Sequence, residues 1–226
     1  LHRLRRDVRH LFLDFPLLRE GGDRMIVVVD YGVGNIASVL NMLKRVGANA
    51  KSSSNADEIS AADKLILPGV GAFDAGMGRL RESGLIDVLN HVALTDRKPV
   101  MGICLGAQML GKRSEEGQEA GLGWIDMTVR KFERREGRKV PHMGWSSVHP
   151  ALAHPLVNDL TDESRFYFVH SYFMDPSDPA DTLLVADYEQ KFAAAVARDN
   201  ISGFQFHPEK SHRFGMQLLK NFSELS

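Results

Sequence analysis

Two short stretches hold the residue types that can do nucleophilic chemistry. At positions 99–106 the chain reads P-V-M-G-I-C-L-G, and Cys104 is its only cysteine. A brief apolar run enters a glycine-flanked turn, and a helix-like run at 105–110 leaves it. This is the layout of a nucleophile elbow, with cysteine in place of serine. Gly102 and Gly106 would leave room where strand and helix nearly touch, and strained backbone would sit at the apex. The helix start would offer N–H groups and a positive dipole end, which favour a thiolate. At 204–210 the chain reads F-Q-F-H-P-E-K, where a strand-like run leads into His207 and Glu209. Pro208 fixes the backbone between them. A histidine backed by a carboxylate supplies a proton acceptor and a group that holds its tautomer. Either stretch alone is weak, since glycine turns and lone histidines are common. Together they point to a Cys104–His207–Glu209 triad.

The elements that must position these groups alternate in type. Residues 25–30, M-I-V-V-V-D, form an apolar run suited to a strand buried on both faces of a parallel sheet. The turn Y-G-V-G-N follows, then helical spacing over 36–46 that stops at Gly47. Strands are predicted at 48–53, 64–67 and 99–103, and helices at 73–82 and 85–94. P-G-V-G closes the strand at 64–67. This alternation predicts an α/β fold with βαβ crossovers and a doubly wound, mostly parallel central sheet. After Gly111 the pattern changes. A polar loop at 114–123 leads to short strands predicted at 124–133, 139–142, 165–170, 182–188, 193–198 and 201–206. These read as antiparallel additions to the sheet edge. A closing helix is predicted at 211–225.

Composition limits the setting. The chain has 226 residues and a formal net charge of -1, so nothing favours nucleic acid or an acidic membrane surface. A single cysteine cannot form an internal disulfide, which fits a reducing cytoplasm. No apolar run approaches the roughly 20 residues that cross a bilayer. Residues 1–24 are arginine-rich and end in G-G-D-R, just before Met25 opens a clean strand. They are expected to be a disordered or dispensable extension, with 25–226 forming the working domain.

The elbow and the late H-P-E together resemble the class I, or triad, glutamine amidotransferases, from Met25 onward. D-Y-G-V-G-N at 30–35, P-G-V-G-A-F at 68–73, P-H-M-G-W at 141–145, Y-F-V-H-S-Y at 167–172 and H-P-E-K-S at 207–211 narrow the likeness. They are similar to the glutaminase subunits of imidazole glycerol phosphate synthases. The resemblance implies that Cys104 attacks the side-chain amide of glutamine, with His207 as base and acid and Glu209 orienting it. It assigns the oxyanion hole to the N–H groups of Val70 and Leu105. Gln108, Glu116 and the backbone near Ser171 would grip glutamine. Asn35, Trp145, Tyr167 and Lys210 would face a (β/α)8-barrel partner in a heterodimer. No cofactor or metal is implied.

That partner would use the ammonia to make imidazole glycerol phosphate and an aminoimidazole carboxamide ribotide in histidine biosynthesis. The P-G-V-G loop is expected to turn one peptide and so gate the oxyanion hole. One departure stands out: Ser146 follows P-H-M-G-W where the family usually has asparagine. It leaves room for a paralogous glutaminase that feeds amination of a surface-polysaccharide sugar. A non-catalytic module or a free-standing cysteine hydrolase fits less well. The first would lack part of the triad, and the second would leave the partner-facing motifs unused.

Overall fold

The computed structural model describes residues 24–133, 139–161 and 163–225. The extension expected at 1–24 therefore lies outside the described residues except for Arg24, whose guanidinium donates to the Leu225 carbonyl.

The first half alternates as expected, with α2 as an unpredicted addition: β1 (Ile26–Val29), α1 (Ile36–Arg45), β2 (Ala50–Ser53), α2 (Ala56–Ala61), β3 (Lys64–Gly69), α3 (Phe73–Glu82), α4 (Ile86–Asn90), β4 (Val100–Cys104) and α5 (Leu105–Met109). A π-helical turn, His91–Thr95, continues α4. The second half is mostly strand. It holds β5 (Arg113–Ser114), β6 (Met127–Lys131), β7 (His142–Ser147), β8 (His149–Pro150), β9 (Arg165–His170), β10 (Tyr172–Pro176), β11 (Thr182–Asp187), β12 (Lys191–Arg198) and β13 (Ile201–Phe204). Helix α6 (His212–Glu224) closes the chain.

The main sheet runs β2-β1-β3-β4-β13-β12-β10-β6-β5. Its first five strands pair in parallel, and β12, β10 and β6 extend it antiparallel. Each buried parallel strand feeds both faces. Ile26 and Val28 join one apolar cluster with α1 and α6, while Val27 and Val29 join another with α2, α3, α4 and α5. That two-sided burial is why β1 reads as unbroken apolar sequence.

Several strands depart from expectation, β5, β8 and β10 having no predicted counterpart. The predicted strand at 139–142 instead occupies His142–Ser147, beyond Pro141, which has no N–H for a ladder. β7 and β9 also form their own two-stranded sheet rather than adding to the main edge.

Candidate active site

The elbow is where β4 meets α5. Gly69 of β3 lies beside Cys104 in register, so two neighbouring strands end together. Cys104 has φ 54° and ψ -110°, a left-handed conformation that costs a non-glycine residue energy, and α5 starts at the next residue. The flanking glycines have a steric reason. A Cβ on Gly106 would come within 1.9 Å of the Leu67 carbonyl oxygen, and one on Gly102 within 2.7 Å of the Ala107 Cα. The helix can lie this close to the sheet only without those side chains.

His207 lies just past the end of β13, which pairs with β4 through Ile103 and Phe204. Side chains alternate along the extension of that strand. Phe204 and Phe206 enter the apolar cluster, and Gln205 and His207 turn toward Cys104. His207 Nδ1 lies 2.8 Å from Glu209 Oε1. A carboxylate oxygen only accepts, so Nδ1 donates and Nε2 is left to serve the Cys104 sulfur, which shares the cleft lining with this ring. Burial opposes a charge on this ring. The bonds to Cys104 and Glu209 and their charges outweigh it and push His207 up to about 9. The corner itself is pinned. Ser211 Oγ donates to the His207 carbonyl at 2.6 Å and accepts from the Tyr167 N–H at 3.0 Å.

Above the sulfur lies a cleft of about 430 Å³. Val70, Leu105, Gln108, Glu116, Ser171, His207 and Lys210 all line it with Cys104. Glu116 is held by its Oε2, which accepts the N–H of Phe73 at the start of α3. Gln108 Nε2 donates to the Tyr172 carbonyl and to Gln205 Oε1. Val70 is exposed at the end of β3, and the loop beneath it is anchored by the Tyr31 hydroxyl, which donates to the Pro68 carbonyl at 2.7 Å.

Glu209, Asn35, Trp145 and Tyr167 do not line the cleft. Glu209 sits behind His207. Trp145 and Met143 are exposed on β7. Trp145 stacks on His212 and meets Tyr167 edge-on, and Lys210 Nζ lies 5.8 Å from the Tyr167 ring centre. Asn35 precedes α1 and receives the Val39 N–H on its carbonyl.

Sequence reading missed Tyr31, Gln205 and a buried His142–His170 pair beside this cleft. The alternation of Gln205 with His207 was the available signal. Among the described residues no group of acidic, histidine and cysteine side chains is placed to hold a metal ion.

The family described as "Glutamine amidotransferase class-I" matches residues 27–225. The chain is 70% identical over 201 residues to "Imidazole glycerol phosphate synthase subunit HisH 2" of Pseudomonas aeruginosa, covering 89% of this chain and 100% of that protein. It is 48% identical to the protein of the same name from Methanococcus maripaludis, covering 88% and 98%. It is also 48% identical to "Imidazole glycerol phosphate synthase subunit HisH" of Bdellovibrio bacteriovorus, covering 89% and 100%. Among solved structures, a putative GMP synthase component from Thermoplasma acidophilum aligns with a TM-score of 0.68 at 20% identity, covering 91% and 95%. PurLQS from Thermotoga maritima aligns at 0.68 and 18%, covering 90% and 98%. At such identities these two likenesses speak for the fold.

Proposed function

The chain belongs to the class I glutamine amidotransferases, and from that premise we propose that it is the glutaminase subunit of an imidazole glycerol phosphate synthase. It hydrolyses glutamine to glutamate and ammonia and passes the ammonia to a (β/α)8-barrel cyclase subunit. There the ammonia is consumed in forming imidazole glycerol phosphate and an aminoimidazole carboxamide ribotide.

The observation that carries this reading is a buried histidine held by Glu209 at 2.8 Å and lining one cleft with Cys104. His207 takes the Cys104 thiol proton as the sulfur attacks the side-chain amide carbon, forming the C–S bond. The N–H groups of Leu105 and Val70 face the oxygen on which charge develops. The C–N bond breaks as His207 gives its proton to the departing nitrogen, which leaves as ammonia. Water then attacks the thioester and His207 takes a proton from it. The C–S bond breaks, and glutamate and the thiol are restored. Gln108, Glu116 and Ser171, around the same cleft, hold the amino-acid end of the substrate.

The partner surface in this reading is the face carrying Trp145, Tyr167, Lys210 and Asn35. Exposed Met143 and Trp145 supply aromatic and apolar area of the kind interfaces use as anchors. The lone thiol fits a reducing compartment, and we place the chain in the cytoplasm.

The experiment is to measure glutamate release by this chain alone, with the cyclase subunit of the same organism, and with that subunit loaded with acceptor ligand. A steep rise is expected only in the last case. A missing oxyanion donor costs on the order of 10²–10³ in rate, enough for the loop at Val70 to act as the gate. Full turnover by the isolated chain would favour a free-standing hydrolase. Cys104→Ala should abolish glutamine hydrolysis while the complex still uses free ammonia. Equal loss of both would make Cys104 a folding or docking residue.

A further inference from the structure

Gln205 is fully buried, yet no step above uses it. Its side chain stands at the inner end of a continuous hydrogen-bonded chain. Gln205 Nε2 lies 4.0 Å from Cys104 Sγ, and Gln205 Oε1 lies 3.1 Å from Gln108 Nε2. Gln108 Nε2 also lies 3.1 Å from the Tyr172 carbonyl oxygen. That same oxygen is 2.7 Å from His170 Nδ1. His170 Nε2 is 3.0 Å from His142 Nδ1, and His142 Nε2 is 2.9 Å from Ser146 Oγ.

The direction of every bond follows from one fixed point. The Tyr172 carbonyl can only accept, so both Gln108 and His170 must donate to it. Gln108 therefore presents its NH2 group, and the second hydrogen of that group goes to Gln205. Gln205 must meet it with its oxygen, which leaves the Gln205 NH2 facing the sulfur. An inverted Gln205 amide would set two donors against each other in a buried site. On the other arm, His170 donates through Nδ1, so as a neutral ring it accepts at Nε2. His142 then donates through Nδ1 and accepts from the Ser146 hydroxyl. Burial keeps both rings neutral, His142 pushed down to about 4 and His170 to about 3, so the tautomers are held.

We propose that Gln205 is a positioning residue for the nucleophile: its NH2, locked by the Ser146–His142–His170–Tyr172–Gln108 chain, donates to the Cys104 sulfur. The i, i+2 spacing puts Gln205 and His207 on the same side of one rigid strand extension. The sulfur therefore has two donors from one backbone, a titrating one and a neutral one. An N–H aimed at developing negative charge favours that charge without taking its proton. The 4.0 Å separation is long for a resting contact, and catalytic hydrogen bonds often tighten only when substrate is bound. The role of Ser146 also becomes concrete. It ends this chain on β7, beside exposed Trp145, by giving its hydroxyl proton to His142.

The proposal rests on the glutaminase reading, but it can be tested without it. Cys104 is the only cysteine, so its alkylation by iodoacetamide, followed by mass, reads one sulfur. The variants are Gln205→Met, which removes both polar atoms, and Gln205→Glu, which keeps an acceptor for Gln108 but puts an oxygen where the N–H was. In the isolated full chain at pH 8, both should alkylate about tenfold more slowly than wild type, the size expected for losing one bond to a charged group. Their melting temperatures should fall far less than those of a core truncation. With the loaded partner, Gln205→Glu should lose kcat while KM stays near wild type, whereas Gln205→Met should also raise KM by freeing Gln108. Wild-type alkylation in either folded variant overturns the proposal. So does slow alkylation that merely follows loss of the fold, seen as a matching drop in melting temperature. A wild-type chain that never hydrolyses glutamine, even with its partner, would instead overturn the glutaminase reading and leave the alkylation result standing.

Discussion

His207 is the residue on which the proposed chemistry turns, and its proton sets a pH window. Its folded value is raised, to about 9 from the ordinary 6.5. Protonation therefore stabilises the fold fully below about 6.5, and that contribution is lost as pH rises through about 9. In the proposed reaction the same proton is the one handed to departing ammonia. Glutaminase kcat with the loaded partner is expected to hold through neutral pH and fall as pH passes about 9. Glu209→Gln removes one of the groups that raise His207, so the alkaline limb should move to lower pH. An unmoved limb would mean that another group sets it. At this scale the sequence was most legible where neighbours in the chain are neighbours in space. His207 and Glu209 sit two residues apart around a proline, and Cys104 sits between two glycines. Gln205 was hidden because its importance depends on Gln108 and Tyr172, which are distant in sequence and of unremarkable type.

At the level of elements, periodicity carried the parallel half well. α3 lies where its helical spacing predicted it, Phe73–Glu82, because its buried Phe73, Met77 and Leu80 recur at helical intervals. Short elements escaped. α2 spans only Ala56–Ala61, too brief for a periodic signal, though its cap was readable: Asn55 accepts from the N–H groups of Asp57 and Glu58. Only Ser171 separates the end of β9 from the start of β10, with no turn cluster between them. β7 was misplaced because Gly144 and two serines lower its strand propensity, while Pro141 before it drew the boundary. The contact between α5 and β3 gives a prediction at this scale. A Cβ on Gly106 meets backbone, not a side chain that could swing away. Gly106→Ala should destabilise the chain by about 3 kcal/mol or more, read by denaturant unfolding. A loss below about 1 kcal/mol would show that the helix can step back from the sheet.

Over the whole molecule, two apolar clusters sandwich one sheet, and the candidate site opens where β3 and β4 end and the chain leaves β13. In a doubly wound sheet, this carboxyl edge is where ligands bind. The sheet starts at Ile26, and the Met25 N–H is already held by the Asp63 carboxylate at 2.8 Å. A chain shortened to begin at Met25 is therefore expected to keep its melting temperature and its partner-stimulated turnover. A fall of more than a few degrees would give residues 1–24 a structural part. The strand order carries a further consequence, one of timing. β13 inserts between β4 and β12, yet it is made last of all the strands. About a hundred residues separate Cys104 from His207. At roughly 5–20 residues per second, the ribosome emits Cys104 some 5–20 seconds before His207. Through that interval the flank of β4 waits without its neighbour. The newborn thiol also stays without the histidine of the proposed triad. The fold thus contains its own delay: that triad is complete only once the last strand has closed the sheet.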